Sequence, residues 1–385
     1  MGEGERAGMT GGASRLEGFA TSKGTDELMM RATQQVVHRT HFRSFEGLTF
    51  TSLGLGTYLG EPDDRTDGLV EEAIKRSILR GAINIIDTAI NYRFQKAERS
   101  VGRAVRALVR DRAMKRDQLF IATKNGYLTH DGDLSQDFWS YIQNTLIRPG
   151  IIKATDISSQ MNCMAVPFLK DQLERSLQNL GLECIDLMYL HNVAEGQIED
   201  VGMERFIQML RDAFLFYEEE RSDGRIRFYG MATWTCFRTS QGSTPDYLSL
   251  DQVVKLAREV GGPNHGFRFV QLPYNLAMPE ALTLRSQLVD GDGKSPFEAA
   301  EKLGLRIFAS VPLLQGRLLS HPQLPKIEGL TSAQTCLQFC RSAPVGLLAP
   351  LVGQKNPIYV EENLGIAVHP PLRPEEIQQI FGIGK

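Results

Sequence analysis

The sequence contains few cysteines, no long apolar run and almost no excess of one charge. Its five cysteines, Cys163, Cys184, Cys236, Cys336 and Cys340, are odd in number and scattered, which excludes a disulfide framework and favours a reducing, cytoplasmic setting. No apolar run reaches the roughly 18 residues of a membrane span, and the N-terminus lacks the pattern of a secretory signal. Lys+Arg 43 against Asp+Glu 46 gives a net charge of −3, so we expect neither nucleic acid nor an anionic membrane as a partner.

Metal ligation is not predicted either. Cys336 and Cys340 are four residues apart on a predicted helix, but no pair of histidines at ligand spacing accompanies them. His38 and His41 are three residues apart in an extended context, which is weak spacing for a metal site. We therefore interpret the thiols as small buried side chains and predict no metal.

What the sequence does contain is a repeated alternation of short apolar stretches with amphipathic helical stretches. The predicted strands are 53–56, 83–87, 119–124, 185–191, 226–233, 267–272, 306–311 and 346–352. The predicted helices are 67–79, 97–110, 167–180, 202–221, 250–260, 295–303, 331–341 and 357–365. Eight strand–helix pairs predict an α/β fold, a closed (β/α)8 TIM barrel, with an open doubly wound sheet as the alternative.

The segments outside this alternation predict the domain organisation. Residues 1–40 are expected to form an N-terminal extension, partly mobile, with a weakly helical piece at 25–37. Residues 41–385 are expected to form one barrel domain. It would include an N-terminal hairpin at 41–50 that closes the barrel floor and a last helix, 374–381, without a strand partner.

One connection, residues 126–166, is much longer than the others. It runs for roughly 40 residues after the third strand, and loops of this length are usually functional or disordered. It carries Tyr127, Phe138, Trp139 and Tyr141. Because it leaves the carboxyl end of a strand, we predict a lid over a pocket, with an insertion packed on the outside as the alternative.

Three successive predicted strands end in a polar side chain that can take part in chemistry. Asp87 ends the second strand, Lys124 the third and His191 the fourth, and Tyr92 follows Asp87 by five residues. The carboxyl ends of barrel strands meet at one face, which is where barrel enzymes carry out catalysis. The four residues are therefore predicted to share one pocket. Taken singly, each also has an ordinary structural interpretation, such as a helix cap or a buried histidine.

This set of four resembles the catalytic tetrad of the aldo-keto reductases, which are NADPH-dependent (β/α)8 barrels. Further segments resemble the family in the same order along the chain: 54–57, 180–187, 224–230, 270–275, 311–316 and 361–364. The resemblance covers about residues 42 to 366. It implies an NAD(P)H-dependent oxidoreductase that reduces a small aldehyde or ketone to the alcohol.

The resemblance also implies a role for each residue of the set. Tyr92 would be the general acid, Lys124 and Asp87 would tune it, and His191 would orient the carbonyl. A free tyrosine, with a pKa near 10, is a slow proton donor at neutral pH. A buried ammonium nearby stabilises the phenolate, and a carboxylate keeps that ammonium charged. The aromatic side chains of residues 126–166 add the hypothesis of an apolar or aromatic carbonyl substrate.

A set of cofactor-binding residues follows from the same resemblance. It comprises Gly56, Thr57, Tyr58, Asp87, Thr233, Gln271, Tyr274, Pro312, Leu313, Gln315, Gly316, Gly353, Lys355, Glu362 and Asn363. Phosphate would bind backbone N–H groups at the start of the eighth helix. Lys355 suits a 2′-phosphate, which favours NADPH over NADH.

The chain departs from the family at two cofactor positions. The family's Ser-Asn pair after the fifth strand is Ala232-Thr233, and Tyr359 stands where relatives often carry Arg or Gln. The alternatives to a reductase are a nucleotide-bound regulatory subunit with the same barrel and a Schiff-base aldolase that uses Lys124. The glycines of residues 54–60 mimic a dinucleotide fingerprint, but no helix begins at them as that motif requires.

Overall fold

The computed structural model describes residues 14–35 and 37–382. In chain order, the strands are β1 (Phe42–Phe45), β2 (Leu48–Thr51), β3 (Gly54–Gly56), β4 (Ile85–Asp87), β5 (Phe120–Asn125), β6 (Ile185–His191), β7 (Ile226–Ala232), β8 (Phe267–Pro273), β9 (Gln287–Val289), β10 (Asp292–Lys294), β11 (Arg306–Ser310) and β12 (Leu347–Gly353). The mobile start predicted for the extension falls mainly on residues 1–13, which lie outside the described residues.

Thirteen α-helices accompany these strands in the described part of the chain. They are α1 (Ser22–Gln35), α2 (Asp64–Leu79), α3 (Lys96–Arg110), α4 (Phe138–Ile142), α5 (Val166–Leu180), α6 (Val193–Val201), α7 (Met203–Ser222), α8 (Leu250–Gly261), α9 (Glu280–Thr283), α10 (Pro296–Lys302), α11 (Ser332–Arg341), α12 (Pro357–Leu364) and α13 (Pro374–Phe381). Among the helices described, none combines the length and the apolar character that crossing a membrane requires.

Strands β3 to β8, β11 and β12 form a closed parallel barrel. Each strand pairs with the next one in this order, and β12 pairs with β3 to close the ring. The predicted (β/α)8 fold is therefore confirmed, and the alternative of an open doubly wound sheet is wrong. All eight carboxyl ends of the strands point to one face, as the predicted pocket requires.

The barrel interior is filled by aromatic side chains and closed at the amino end by a hairpin. Phe120, Phe228, Phe269 and Phe308 project inward from four strands and are buried. The predicted hairpin is formed by β1 and β2, which pair antiparallel. Its Phe50 inserts among them, with its ring centroid 5.0 Å from that of Phe120. The barrel is thus a packed core with a floor, and open space is left only towards the other face.

Part of the N-terminal extension packs on the same floor. The backbone N–H of Ala20 donates to the buried Asp186 carboxylate at 2.7 Å. The Thr25 hydroxyl in α1 accepts from the N–H of Thr49 in the hairpin at 3.0 Å. Residues 16–35 therefore cover the end of the barrel opposite to the expected pocket.

Besides α4 in the long connection after β5, three regular elements of the described structure were not predicted. Helix α6 follows β6 directly, and α9 and the β9–β10 hairpin lie between β8 and α10. The hairpin turn places Asp290 and Gly291 at φ 53° and 84°. An Asp-Gly pair between short strands is a known hairpin signal, so this element was recognisable from the sequence.

The long connection, residues 126–166 (hereafter the insertion), contains α4, a π-turn at Gln143–Ile147 and a 3₁₀ turn at Ala154–Asp156. A bridge between Tyr127 and Asn162 brings its two ends together. Tyr141, Ile142 and Leu146 are buried within it. The insertion is therefore a compact, folded unit with its own apolar side chains.

Candidate active site

A cavity of about 1100 Å³ lies at the carboxyl end of the barrel. Most of the predicted site residues line it: Gly56, Thr57, Tyr58, Asp87, Tyr92, His191, Thr233, Gln271, Pro312, Leu313, Gln315, Gly316, Gly353, Glu362 and Asn363. They come from the carboxyl ends of β3, β4, β6, β7, β8 and β12 or the residues just after them, from the loop after β11 and from α12. The volume is at the upper end of the range usual for small-molecule and cofactor sites.

Asp87, Lys124 and Tyr92 form one cluster at the base of this cavity. Lys124 Nζ donates to Asp87 Oδ1 at 2.6 Å and to the Thr88 carbonyl at 2.8 Å. The same ammonium lies 4.7 Å from the centroid of the Tyr92 ring. The Gln271 amide donates to the second Asp87 oxygen at 2.8 Å. The carboxylate is thus held from both sides, and the ammonium lies directly behind the phenol.

The charges of this cluster follow from its burial. Burial alone would lower the pKa of Lys124, but Asp87 and Tyr92 raise it, so the side chain stays an ammonium. Burial raises the pKa of Tyr92, and the charge of Lys124 counters part of that rise. The phenol therefore keeps its proton at neutral pH and has a positive charge beside it.

His191 completes the predicted set from the end of β6. Its ring centroid lies 5.7 Å from that of Tyr92 and 5.0 Å from that of Tyr127. Burial, followed by the charge of Lys124, holds the pKa of His191 well below its usual range, so the imidazole is neutral. Its buried Nδ1 has no hydrogen-bond partner among the described residues. That nitrogen is sealed from the cavity, so a polar ligand group would meet the other ring nitrogen, Nε2.

The backbone just after Tyr92 is unusual. Arg93, Phe94 and Gln95 have φ angles of 47°, 54° and 73°, three successive non-glycine residues in the left-handed region. Each such residue costs roughly 1–3 kcal/mol and persists only where its surroundings hold it. Strain of this kind concentrates at functional sites, and here it adjoins the phenol.

A second part of the cavity wall is formed by the loop after β7. Ala232 and Thr233 line the cavity. Ala232, the last residue of β7, lies opposite Gln271 of β8, and Thr233 follows it. The Glu195 carboxylate in α6 accepts hydrogen bonds from the backbone N–H groups of Trp234 and Thr235, both at 2.7 Å. One acidic side chain thus fixes this loop beside the barrel mouth.

The far end of the cavity is bounded by the loop after β11 and the start of α12. Leu313 and Leu314 have φ angles of −103° and 48°, a right-handed then left-handed pair. The turn is closed by its own backbone, because the N–H of Leu314 donates to the Val311 carbonyl and that of Gly316 to the Leu313 carbonyl, both at 2.8 Å. The buried Asn363 Oδ1 has no partner among the described residues. Among the described residues that line the cavity, none is a lysine or an arginine.

Three predicted site residues do not line the cavity. Lys124 is fully buried and contacts Asp87 and the Tyr92 ring. Tyr274 packs in the outer core, with ring centroids 4.9 Å from Phe297 and 5.1 Å from Phe339, so its predicted contact with a cofactor ring is wrong. Lys355 is half-buried beside the start of α12, and its phosphate contact stays a prediction.

The structure adds lining residues that sequence reasoning missed. Trp234 and Asn192 directly follow predicted strand-end residues, and this adjacency was a usable signal. Ser310 lies at the end of β11, which the predicted strand 306–311 had already covered. Residues 331–333 reach the cavity from the start of α11, and no local pattern indicates this because the contact depends on the closed ring.

Most aromatic side chains of the insertion lie away from the cavity. Of the described residues of the insertion, Tyr127 alone lines the cavity. Phe138 packs near His130, and the Tyr141 hydroxyl accepts from Arg175 in α5 at 3.0 Å. The insertion thus lies against the outer helices, and a lid role stays a prediction.

The chain is a closed (β/α)8 barrel with a large cavity at the carboxyl ends of its strands, and comparison with known proteins identifies its class. The model of the Aldo/keto reductase family matches residues 52–385, so the chain belongs to the aldo-keto reductases. This membership confirms the predicted class of NAD(P)H-dependent oxidoreductase.

Solved structures share the fold at low identity. The aldo-keto reductase AKR11C1 from Bacillus halodurans, in a holo form, is 19% identical with a TM-score of 0.59, over 89% of this chain and 96% of that one. An aldo/keto reductase from Klebsiella pneumoniae, in complex with NADP and acetate, is 20% identical with a TM-score of 0.57, over 88% and 93%. The aldose reductase from Schistosoma japonicum is 17% identical with a TM-score of 0.56, over 89% and 90%.

Proposed function

We propose that this protein reduces an aldehyde or ketone to the alcohol with NADPH, using Tyr92 as the general acid. The observation that carries the proposal is the placement of a neutral phenol at the cavity wall with the Lys124–Asp87 ion pair directly behind it. A carbonyl group in the cavity beside Tyr92 and His191 would meet a proton donor and a neutral imidazole together.

When bound, the nicotinamide supplies the hydride for the carbonyl carbon. Tyr92 donates its proton to the carbonyl oxygen as negative charge develops there, which is typically worth about 10²–10⁴ in rate. Lys124 stabilises the resulting phenolate, and Asp87 keeps Lys124 charged and in place. Because its pKa is lowered, His191 stays neutral and orients the carbonyl through a ring N–H.

Several residues fit a dinucleotide along the cavity. Gln271 uses its amide N–H groups on Asp87, which leaves its oxygen to accept from a carboxamide. Thr233 offers a hydroxyl on the same side, whereas Ala232 offers no polar group. We assign the loop after β11 to the pyrophosphate and the side chains of Glu362 and Asn363 to the adenine end, because both groups line the far end of the cavity.

The preference for NADPH rests on Lys355 and on a relative. The Klebsiella pneumoniae relative was solved with NADP. Lys355 stands at the position suited to a 2′-phosphate, near the start of α12. With no cation among the described residues lining the cavity, this lysine is the side chain we assign to that phosphate.

The wall around Tyr92 indicates an uncharged, apolar or aromatic substrate. Tyr58, Tyr127 and Trp234 surround the entrance, and the Tyr58 ring centroid lies 5.0 Å from that of Tyr92. A substrate carboxylate or phosphate would find no cationic partner among the described lining residues. The proposed substrate class therefore rests on these cavity residues and not on the aromatic side chains of the insertion.

The two alternatives find less support. An aldolase needs an accessible amine, but Lys124 is fully buried and paired with Asp87. A regulatory subunit would have no use for the phenol, the ammonium and the imidazole together, although Ala232 weakens the carboxamide site.

All five cysteines lie in the described part of the chain and are free, which supports a reducing compartment such as the cytoplasm.

An NADPH titration followed by a carbonyl panel tests the proposal. We expect saturable NADPH binding and oxidation of bound NADPH by benzaldehyde-type substrates, with weaker turnover of 4-carboxybenzaldehyde and of small sugars. Binding without turnover of any carbonyl would favour the regulatory subunit. Borohydride trapping of a substrate on Lys124 would favour the aldolase.

A further inference from the structure

We propose that the insertion is a brace for the proton donor: Gly132 and Asp133 hold the strained turn 93–95, and thereby position Tyr92 for proton transfer. Gly132 and Asp133 are positioning residues and do not touch the reacting atoms. This inference rests on the proposed reductase function, and it gives the long connection a role different from that of a lid.

The first observation is direct contact between the insertion and the strained turn. The N–H of Gly132 donates to the Phe94 carbonyl at 2.9 Å, in the middle of the turn. The Phe94 and His130 rings lie 4.1 Å apart between centroids. A Cβ on residue 132 would lie 3.2 Å from the Phe94 carbonyl oxygen and 3.3 Å from that of Arg93. Glycine therefore permits the close approach.

The second observation is an ion network, buried around Lys96 but half-exposed at Asp133, that joins the insertion to both sides of the turn. Lys96, the residue after the turn, is 6% exposed and places its Nζ 2.7 Å from Asp133 in the insertion. The same Nζ lies 3.2 Å from Asp67 in α2, and Asp67 also pairs with the buried Arg93. The turn is thus tied at its first residue and just beyond its last.

A third set of contacts fixes the last residue of the turn. The Gln95 amide donates to the His130 carbonyl at 3.2 Å and to the Tyr141 hydroxyl at 3.4 Å. Arg175 in α5 donates to that same hydroxyl at 3.0 Å. Both partners of Gln95 come from the insertion, and α5 in turn contacts Tyr141, so the insertion links the turn to an outer helix.

The functional consequence follows from the position of the phenol. Tyr92 immediately precedes the turn, and its N–H donates to the Ala89 carbonyl at 3.1 Å. A misplacement of a reacting group by about 1 Å can reduce a rate roughly 10²-fold. Loosening the brace should therefore slow proton transfer. The residues assigned to the phosphates and the adenine, after β11 and in α12, make none of these contacts with the turn, so NADPH binding should change little.

A matched pair of variants tests this. Asp133→Asn and Asp64→Asn each remove one carboxylate from the same Lys96 ammonium. Asp64 lies in α2, 3.2 Å from Lys96, whereas Asp133 belongs to the insertion and also pairs with Arg99 in α3. We expect Asp133→Asn to lower kcat at least about tenfold, with NADPH Kd within about twofold. We also expect Asp133→Asn to show a larger deuterium isotope effect on kcat than the wild type when NADPH is deuterated at the position of the transferred hydride. Asp64→Asn should match the wild type.

Two further measurements separate the possible outcomes. Tyr141→Phe should reproduce the kcat loss if Asp133→Asn fails to fold. Amide hydrogen exchange at residues 92–97 should be faster in Asp133→Asn than in Asp64→Asn, a readout that needs no activity. Equal kcat, or equal exchange, in the two variants would overturn the brace. A wild-type protein inactive on every carbonyl but with the expected exchange difference would instead overturn the proposed function.

Discussion

The ion pair between Asp87 and Lys124 is difficult to explain by stability. Both side chains are buried, and desolvating two ions costs several kcal/mol that their attraction only partly returns. Perturbed, buried charges of this kind concentrate at functional sites. The pair is explained by the neighbouring phenol of Tyr92, whose ionised form it stabilises.

Cofactor choice also depends on single residues, and Lys355 is the one to test. We predict that Lys355→Ala weakens NADPH binding by about tenfold, or about 1.4 kcal/mol, and leaves NADH binding nearly unchanged. The reason is that only NADPH carries the 2′-phosphate. Titration of both cofactors measures this, with Lys170→Ala, on the exposed face of α5, as the control. Equal losses for the two cofactors would contradict the assignment.

Among the elements, the β1–β2 hairpin matters most for the barrel because it fills one end. Phe50 is 1% exposed and contacts Phe120, Phe269 and Phe308 edge-on or tilted. The eight parallel strands all pair within the closed ring, so a separate element has to cover its amino end. The hairpin therefore allows a cavity at one face without leaving a second one at the other.

Removal of the Phe50 ring from the hairpin should destabilise the protein. We predict that Phe50→Ala lowers the free energy of unfolding by roughly 3–5 kcal/mol, the usual loss for a fully buried phenylalanine. Urea denaturation provides the measurement. Phe45→Ala is the matched control, because Phe45 is half-buried and should lose less. Similar losses for both would argue against the floor.

The sequence predicted features that depend on neighbouring residues along the chain. It did not predict contacts between segments that are far apart in the sequence. Helix periodicity and glycine stops placed α2, α3, α5 and α8 close to their observed bounds. The role of Tyr274 was missed because its environment, Phe297 and Phe339, comes from two distant helices. The contacts of the insertion were missed for the same reason. Its aromatic side chains favoured a lid, whereas in the structure Tyr127 lines the cavity, Phe138 contacts His130 within the insertion, and Tyr141 contacts Arg175 in α5.

For the whole molecule, buried histidines make stability depend on pH. Burial lowers the pKa of His41 to about 3, and its ring nitrogens contact the Ala82 carbonyl at 2.8 Å and the Ser52 hydroxyl at 3.0 Å. Burial likewise lowers the pKa of His265 to about 4. In the unfolded chain both groups bind a proton near pH 6.5. Stability is therefore fully present above about pH 6.5 and is lost as the pH falls from there towards the folded values.

A substitution at His41 isolates its share of this effect. Each such histidine contributes a slope of about 1.4 kcal/mol per pH unit between its two pKa values. We predict that His41→Gln makes the decline in unfolding free energy between about pH 6 and pH 4 shallower by about that amount per unit. His38→Gln, an exposed position, should leave the slope unchanged. An unaltered slope in His41→Gln would show that this histidine does not stay neutral in the fold.

The central claim, that one phenol at the barrel mouth delivers the proton, is tested most directly by Tyr92→Phe. The measurement is single-turnover oxidation of bound NADPH by a reactive aldehyde, with the NADPH Kd determined on the same sample. We predict a Kd within about twofold of the wild type and a rate reduced by about 10²–10⁴, because only the proton donor is lost. A variant that oxidises NADPH at the wild-type rate would contradict the account.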